Sequence, residues 1–203
     1  EESSKLIEKI GDKTIETICT EDDHRGKKEV TTIDLTGKII KKTKTNYLVK
    51  YKKWIGEKDV RSDEITNKTV QEYTYNEAGV LEKEVRQYFS PDDFIFGDYY
   101  TTEIILYNEQ GQKVERNEKR EYKNSWEIIG KRPNLKFETK DKIFLERTLY
   151  YYDSEGNLTR EELKKWRADE GIETDVEHFT THYFYVKDDE YEEHLKVIVK
   201  EIV

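Results

Sequence analysis

The sequence predicts an all-β chain: an elongated antiparallel β-meander, a single-layer or open sheet built from repeated hairpins. Three observations carry that expectation. A turn signal, Asp or Asn followed by two variable residues and Gly, recurs at Asp34–Gly37, Asn76–Gly79, Asn108–Gly111 and Asp153–Gly156, each time with strand-like flanks. Four copies argue for repeated supersecondary units, where one would be an ordinary turn. Between the signals the chain alternates with a period of two, most clearly where Thr45, Tyr47, Val49 and Tyr51 interleave with Lys44, Asn46, Leu48, Lys50 and Lys52. Lastly, only 34% of the 203 residues are hydrophobic and 40% are charged, with a mean hydropathy of -1.02, which leaves little material for a deep core. Disorder is the usual reading of such numbers, but 15 Tyr, 7 Phe and 3 Trp argue against it. A thin sheet with long charged side chains on much of both faces reconciles the two, because each unit of a repetitive array needs only its neighbours.

The strongest turn is Tyr152-Asp153-Ser154-Glu155-Gly156-Asn157-Leu158. An Asp or Asn side chain can accept backbone amides two residues on, and Gly takes the positive φ that closes a tight turn. Taken in order, Lys5–Ile10, Gly11-Asp12 and Thr14–Thr20 read as a first hairpin. A short helix over Ser4–Ile10 competes, since Leu6, Ile7 and Ile10 also fit a 3.6 period. Glu21–Gly26 is a charged turn, and Glu29–Asp34 and Lys38–Trp54 are strands around the first turn signal. Gly56–Asn67 is polar and reads as a loop. Thr69–Tyr75 and Val80–Phe89 form the next hairpin, with Tyr73, Tyr75, Leu81, Val85 and Phe89 as its packed side.

Ser90-Pro91-Asp92-Asp93 is expected to interrupt pairing, because Pro91 donates no backbone hydrogen bond, and Phe94–Gly97 is apolar within a loop. Tyr99–Tyr107 pairs with Lys113–Tyr122, which Trp126–Ile129 can extend. Gly130–Asn134, with Pro133, is a second interruption and a possible division into two lobes of what is otherwise one domain over residues 1–203. Lys142–Tyr152 and Leu158–Trp166 follow, then a turn at Ala168–Gly171, a strand over Glu173–Val186, a turn at Asp188–Glu190, and a last strand with Leu195, Val197, Val199 and Val203 on one side. That gives ten to twelve strands, and sequential hairpins most simply pair as a meander.

A formal charge of -9 argues against nucleic acid or an anionic membrane as partner. The interspersed Lys and Arg read as cross-strand pairs and edge protection. Lone Cys19 has no partner for an internal disulfide and reads as a buried or half-buried small hydrophobe. No apolar run approaches the ~18 residues of a membrane-spanning helix. With no Met anywhere, residue 1 reads as the start of a trimmed or mature chain, which points to a secreted or cell-surface protein from which a leader was removed and leaves the cytoplasm open.

Candidate chemistry is sparse. His178 and His182 would face together on a helix, but in a strand they lie roughly 13 Å apart, too far to share a metal. The acidic runs Glu21-Asp22-Asp23, Asp92-Asp93 with Asp98, and Asp188-Asp189-Glu190 do not match a calcium loop. Phosphate loops, metalloprotease helices and serine elbows do not occur. No catalytic residue, metal or cofactor is therefore assigned, and the chain is expected not to be an enzyme. The feature with a binding reading is aromatic: Trp54, Tyr99, Tyr100, Trp126, Tyr150, Tyr151, Trp166, Tyr183 and Tyr185. Any one of them could be core. Adjacent pairs such as Tyr99-Tyr100 and Tyr150-Tyr151 nonetheless point to opposite faces, so one member of each must leave the packed side and is available for an aromatic patch.

Two functions are expected from this. The first is a non-enzymatic binding or scaffold module that contacts a protein partner by a sheet face or by strand addition at an edge. The alternative is a carbohydrate-binding β domain in which exposed aromatics stack on sugars, with or without hydrolysis by acids drawn from Asp92, Asp93, Asp98 and Glu103.

The stretch Tyr152–Thr159 resembles the YD repeat of bacterial Rhs-type and teneurin-like proteins, and the other copies are similar to it or to the Tyr-rich repeats of bacterial surface and antitoxin-like proteins. The matching residues are Tyr75, Asn76 and Gly79; Tyr107, Asn108 and Gly111; and Tyr152, Asp153, Gly156, Asn157 and Leu158. The resemblance implies extended sheets or shells, and roles in encapsulation, adhesion or protein contact for a bacterial secreted or surface protein. Its copies stand 42, 32 and 45 residues apart, measured from Gly to Gly, so here it implies hairpins of an open sheet more than a closed shell.

Overall fold

A computed structural model describes residues 2–22, 24–54, 57–93, 97–129, 136–169, 172–187 and 194–202, with side chains described outside 50–62, 92–97, 124–140, 169–176 and 185–203. The described residues form twelve strands: β1 (Glu2–Ile10), β2 (Lys13–Glu21), β3 (Arg25–Ile33), β4 (Ile39–Trp54), β5 (Glu57–Tyr75), β6 (Leu81–Asp93), β7 (Gly97–Tyr107), β8 (Lys113–Ile129), β9 (Lys136–Tyr152), β10 (Leu158–Asp169), β11 (Ile172–Lys187) and β12 (His194–Ile202). They make one antiparallel sheet whose spatial order is the sequence order, β1 through β12. The predicted open meander of hairpins is the observed architecture, and no helix occurs among the described residues.

The four turn signals build one hairpin four times. In each, the Asp or Asn N–H donates to the carbonyl four residues on and the Gly N–H donates back to the Asp or Asn carbonyl, as Asp153 and Gly156 do at 3.0 and 3.2 Å. The Asp or Asn Oδ1 accepts the N–H of the residue after Gly, at 2.9 Å for Lys38, Val80, Gln112 and Asn157 alike. The glycines hold φ between 76° and 89°, a region closed to most L-residues, so the spacing from Asp or Asn to Gly is dictated by backbone sterics. Ladders close at Ile33–Ile39, Tyr75–Leu81, Tyr107–Lys113 and Tyr152–Leu158. Immediately after each closure the outgoing strand carries one unpaired residue, respectively Ile40, Glu82, Val114 and Thr159. Neighbouring turns are also tied together: Lys38 Nζ donates to the Gly79 carbonyl and Gln112 Nε2 to the Gly156 carbonyl, both at 3.0 Å.

The first hairpin stands as expected: residues 4–10 are strand β1 and not the competing helix, because the Gly11-Asp12 turn gives them a partner in β2. Several expectations are corrected. The polar stretch Gly56–Asn67 is not a loop: from Glu57 onward it belongs to β5, paired with β4 from Trp54–Glu57 to Asn46–Asn67. Both faces of a single-layer sheet are wet, so polar side chains there argue nothing against a strand. Strand β6 runs through Ser90–Asp93. A register shift between Ser90–Tyr99 and Asp93–Gly97 leaves Pro91 where no ladder N–H is required. The charged turn at Glu21–Gly26 is shorter than expected, since β2 reaches Glu21 and β3 begins at Arg25, with Asp22 Oδ1 accepting the N–H groups of His24 and Arg25. Strand β8 does extend through Trp126–Ile129, and β10 reaches Asp169. The expected interruption at Gly130–Asn134, the apolar residues 94–96 and the turns at 170–171 and 188–190 lie outside the described residues.

Opposed residues of an antiparallel pair share a face, so the register assigns every strand position to one of two faces. The first face carries Tyr73, Glu84, Ile105, Arg116 and Thr148 in one cross-strand row, and the second carries Glu72, Val85, Ile104, Asn117 and Arg147. The expected packed side of the second hairpin is split between them. Tyr73, Tyr75 and Leu81 lie on the first face but Val85 and Phe89 on the second, because the extra residue Glu82 inverts the alternation within β6. The core is correspondingly thin. Ile105 on the first face is wholly buried and Val49 on the second is 8% exposed, while Glu84, Glu118 and Thr148 are buried polar residues on the first.

Candidate functional site

On the first face four rings form a row crossing β6 to β9. Tyr88 meets Tyr99 edge-on at 5.9 Å, Tyr99 tilts against Tyr122 at 4.9 Å, and Tyr122 meets Phe144 edge-on at 5.9 Å. The Arg167 guanidinium lies 6.0 Å from the Phe144 centroid and ends the row on β10. Tyr99 and Tyr122 are directly opposed on strands about 4.8 Å apart, whereas Tyr88–Tyr99 and Tyr122–Phe144 are diagonal neighbours, and all three separations lie within the range where aromatic pairs attract. The ends of the row are open to solvent, Tyr88 at 36% and Phe144 at 38% exposed. Burial, with Tyr99 beside it, raises the Tyr122 phenol above its ordinary range.

Beside the rings runs a ladder of ions. Arg86 donates to Glu84 at 2.6 Å and to Glu103 at 3.1 Å, and Arg116 donates to Glu103, to Glu118 and, at 2.8 Å, to Glu146. Arg120 closes on the other oxygen of Glu118. Tyr107 donates its hydroxyl to Glu84 at 3.1 Å, and burial followed by the neighbouring Glu84 carboxylate pushes that phenol up to about 12. Ile105 lies beneath this ladder, directly between Glu84 and Arg116, so the charged layer covers the one wholly buried large side chain among the described residues. A groove of about 440 Å³ opens between β8 and β11, lined by Tyr122, Phe144, Arg120, Lys165, Arg167 and Glu177 among others.

Of the nine aromatics expected to form a patch, the six whose side chains are described divide between the two faces. Tyr99, Tyr150 and Tyr183 lie on the first face, and Tyr100, Tyr151 and Trp166 on the second. The adjacent pairs do split between faces as alternation requires. Trp54, Trp126 and Tyr185 belong to β4, β8 and β11, but their side chains lie outside the described residues. Of the six described, Tyr99 alone joins the row, whose other members, Tyr88, Tyr122 and Phe144, are not among the nine. Nothing local marks them, since their proximity depends on the register of four strands. On the second face Phe89 packs on Tyr100 at 4.8 Å, and Arg160 stacks 3.9 Å over Tyr151, whose hydroxyl donates to Glu162. The Trp166 Nε1–H is buried without a hydrogen bond.

Of the acids considered for hydrolysis, Glu103 is on the first face, bonded to two arginines, and Asp98 is on the second. Those two cannot flank one glycosidic bond, because the sheet lies between them. The side chains of Asp92 and Asp93 are outside the described residues. His178 and His182 lie on β11, on the second face, with the strand spacing expected. Cys19 is half-buried on β2, and among the described residues no cluster of three His, Cys, Asp or Glu side chains could hold a metal. No helix among the described residues is long and apolar enough to cross a membrane, which says nothing of β-barrels. No protein-family model matches the chain, and no curated protein matches it.

Proposed function

We propose that this chain is a non-enzymatic binding or scaffold module of a bacterial secreted or surface protein, of the YD-repeat-like kind, that contacts a protein partner through its sheet. The observation that carries the reading is the row Tyr88, Tyr99, Tyr122 and Phe144 on a face that no second layer covers among the described residues. Rigid aromatics flanked by arginines, here Arg120 and Arg167, are the side chains that dominate protein interfaces, since they contribute large contact area at low entropic cost. The edge offers a second mode of contact. Every residue of β1 is exposed, with Leu6, Ile7 and Ile10 at 54%, 58% and 60%, and its register against β2 contains no bulge to deter strand addition.

The test is a paired capture from the secreted and surface proteins of the source cell, using the native chain and the double substitution Tyr88→Ala with Phe144→Ala. Both sites are over a third exposed, so the sheet should remain, as far-ultraviolet circular dichroism can verify. A partner held by the native chain and lost by the variant is expected. The same proteins recovered with both, or none with either, would sink the face reading.

The groove beside Tyr122 and Phe144 favours carbohydrate as a second reading, because it joins ring faces to Arg120, Lys165 and Glu177 as hydrogen-bonding groups. A glycan array with intrinsic-fluorescence titration tests it, and a flat response across common polysaccharides would remove it.

A further inference from the structure

The first face changes character along the sheet. From β6 to β11 cations and acids are close to equal in number on it, with the Arg–Glu ladder at the centre. Across β1 to β5 six cations, Lys5, Lys9, Arg25, Lys27, Lys42 and Lys44, stand against three described acids, Glu16, Glu29 and Glu64. This is a positive surface on a chain whose formal charge is -9. Lys5 is bonded to Glu16 and Lys27 to Glu29, the latter pair at 2.7 Å. Lys42 and Lys44 are exposed and carry no ion pair among the described residues. The Lys27 hydrogen bond, with Lys44 and Lys42 nearby, holds the Glu29 carboxyl below its ordinary range, as a local excess of positive charge requires.

Lys42 and Lys44 are two residues apart on β4, about 6.8 Å along one face. With Glu29, Thr31, Thr69 and Gln71 they line a shallow cleft of about 250 Å³ that contains no aliphatic or aromatic side chain. One cross-strand row then runs from Lys44 through Thr69 to Tyr88, so the cleft opens beside the exposed end of the aromatic row. We infer that this cleft binds an acidic polysaccharide, with a sugar carboxylate between Lys42 and Lys44, hydroxyls on Thr31, Thr69 and Gln71, and a neighbouring ring against Tyr88.

Two other polyanions fit less well. An acidic peptide would find no apolar pocket in the cleft lining itself for its side chains, and only the ring of Tyr88 at its margin. A nucleic acid strand carries a charge about every 3.4 Å, and that density would crowd Glu29 as well as meet the two lysines. A polyuronate presents one carboxylate per ring, with hydroxyls between, which matches sparse cations set among Thr and Gln side chains.

The inference rests on the carbohydrate reading and adds to it a charge sign and a position away from the groove at Tyr122. It is tested by titration calorimetry of the full chain with an oligogalacturonate, a neutral oligogalactose of equal length, polyglutamate and oligothymidylate. The oligogalacturonate is expected to bind. Its affinity should fall roughly tenfold in the double substitution Lys42→Gln with Lys44→Gln, the loss of about one charged hydrogen bond. Lys42→Arg with Lys44→Arg should stay within about twofold, because exposed cations of equal charge attract a carboxylate similarly. Affinity unchanged in the Gln variant, or equal binding of polyglutamate or oligothymidylate, would overturn the inference. Binding of the neutral oligomer alone would overturn it while leaving the carbohydrate reading, and binding of neither sugar would count against both.

Discussion

Replacing Arg116 by Met tests whether the ion ladder, and not apolar burial, holds the middle of the sheet. Its guanidinium is 27% exposed and bonded to three glutamates whose side chains are 14%, 6% and 17% exposed. Breaking a fully buried pair leaves an uncompensated charge at a cost of about 3–5 kcal/mol. Here that figure must be reduced. Glu103 keeps Arg86, Glu118 keeps Arg120, and Glu146 stands opposite Lys165 on β10. Met also restores apolar cover over Ile105. A loss of about 2–3 kcal/mol remains, which for a chain of this size corresponds to roughly 5–10 °C in Tm. Urea unfolding followed by circular dichroism measures it, with Arg116→Lys as the companion. Lysine retains the charge without the fork that reaches three carboxylates, so it should lose about half as much. The reference is Lys41→Gln, which breaks an exposed pair with Glu72 worth at most about 1 kcal/mol. If Arg116→Met costs no more than Lys41→Gln, the ladder is decoration on a sheet held by its backbone, and the reasoning fails.

Four further outcomes follow from the same geometry. Ile105→Ala should cost about 2–4 kcal/mol, because the site is wholly buried and the ladder above it cannot collapse inward without losing ion pairs; an effect below 1 kcal/mol in urea unfolding would mean that it does collapse. Gly26→Ala places a methyl group 2.1 Å from the Tyr47 ring, which covers this glycine while bonding Glu21 at 3.0 Å, so about 1–3 kcal/mol should be lost. Adding Tyr47→Ala should abolish most of that increment in a double-mutant cycle, and strict additivity would refute the contact. In a spectrophotometric titration the Tyr107 phenol should ionise near 12 and its signal should vanish in Tyr107→Phe. Since its folded value lies above the unfolded value of about 10, the stability it contributes is present below pH 10 and is lost as pH rises toward 12. The Asn157 N–H, followed by other turn donors, holds the Asp153 carboxyl below its ordinary range; its share of turn stability is present above the unfolded value and is lost as pH falls through the folded one, and an NMR titration at or above the free-aspartate value would contradict this.

Short-range chemistry was legible in the sequence. Asp or Asn accepts the amides of its own turn and Gly supplies the positive φ, so Asp34, Asn76, Asn108 and Asp153 announce their hairpins without reference to anything distant. Alternation around Tyr47 and the scarcity of apolar residues then specified strands, a meander and a thin core. The opposite facing of Tyr99 and Tyr100, or Tyr150 and Tyr151, also followed from the pleat alone.

Tertiary structure decided what those faces carry. The polar half of β5 becomes a strand only because β4 is long enough to pair with it, and a composition rule tuned to half-buried strands reads it as loop. One unpaired residue after each turn, such as Glu82, inverts which face the following side chains occupy, and no local signal marks that shift. The Tyr88 to Phe144 row, the three-armed contacts of Arg116 and the cleft at Lys42 and Lys44 are all sums of register across several strands. Register is set by backbone ladders between residues as far apart in sequence as Glu115 and Leu149. Turn chemistry is encoded within five residues, whereas a binding face exists only once the strands are laid side by side.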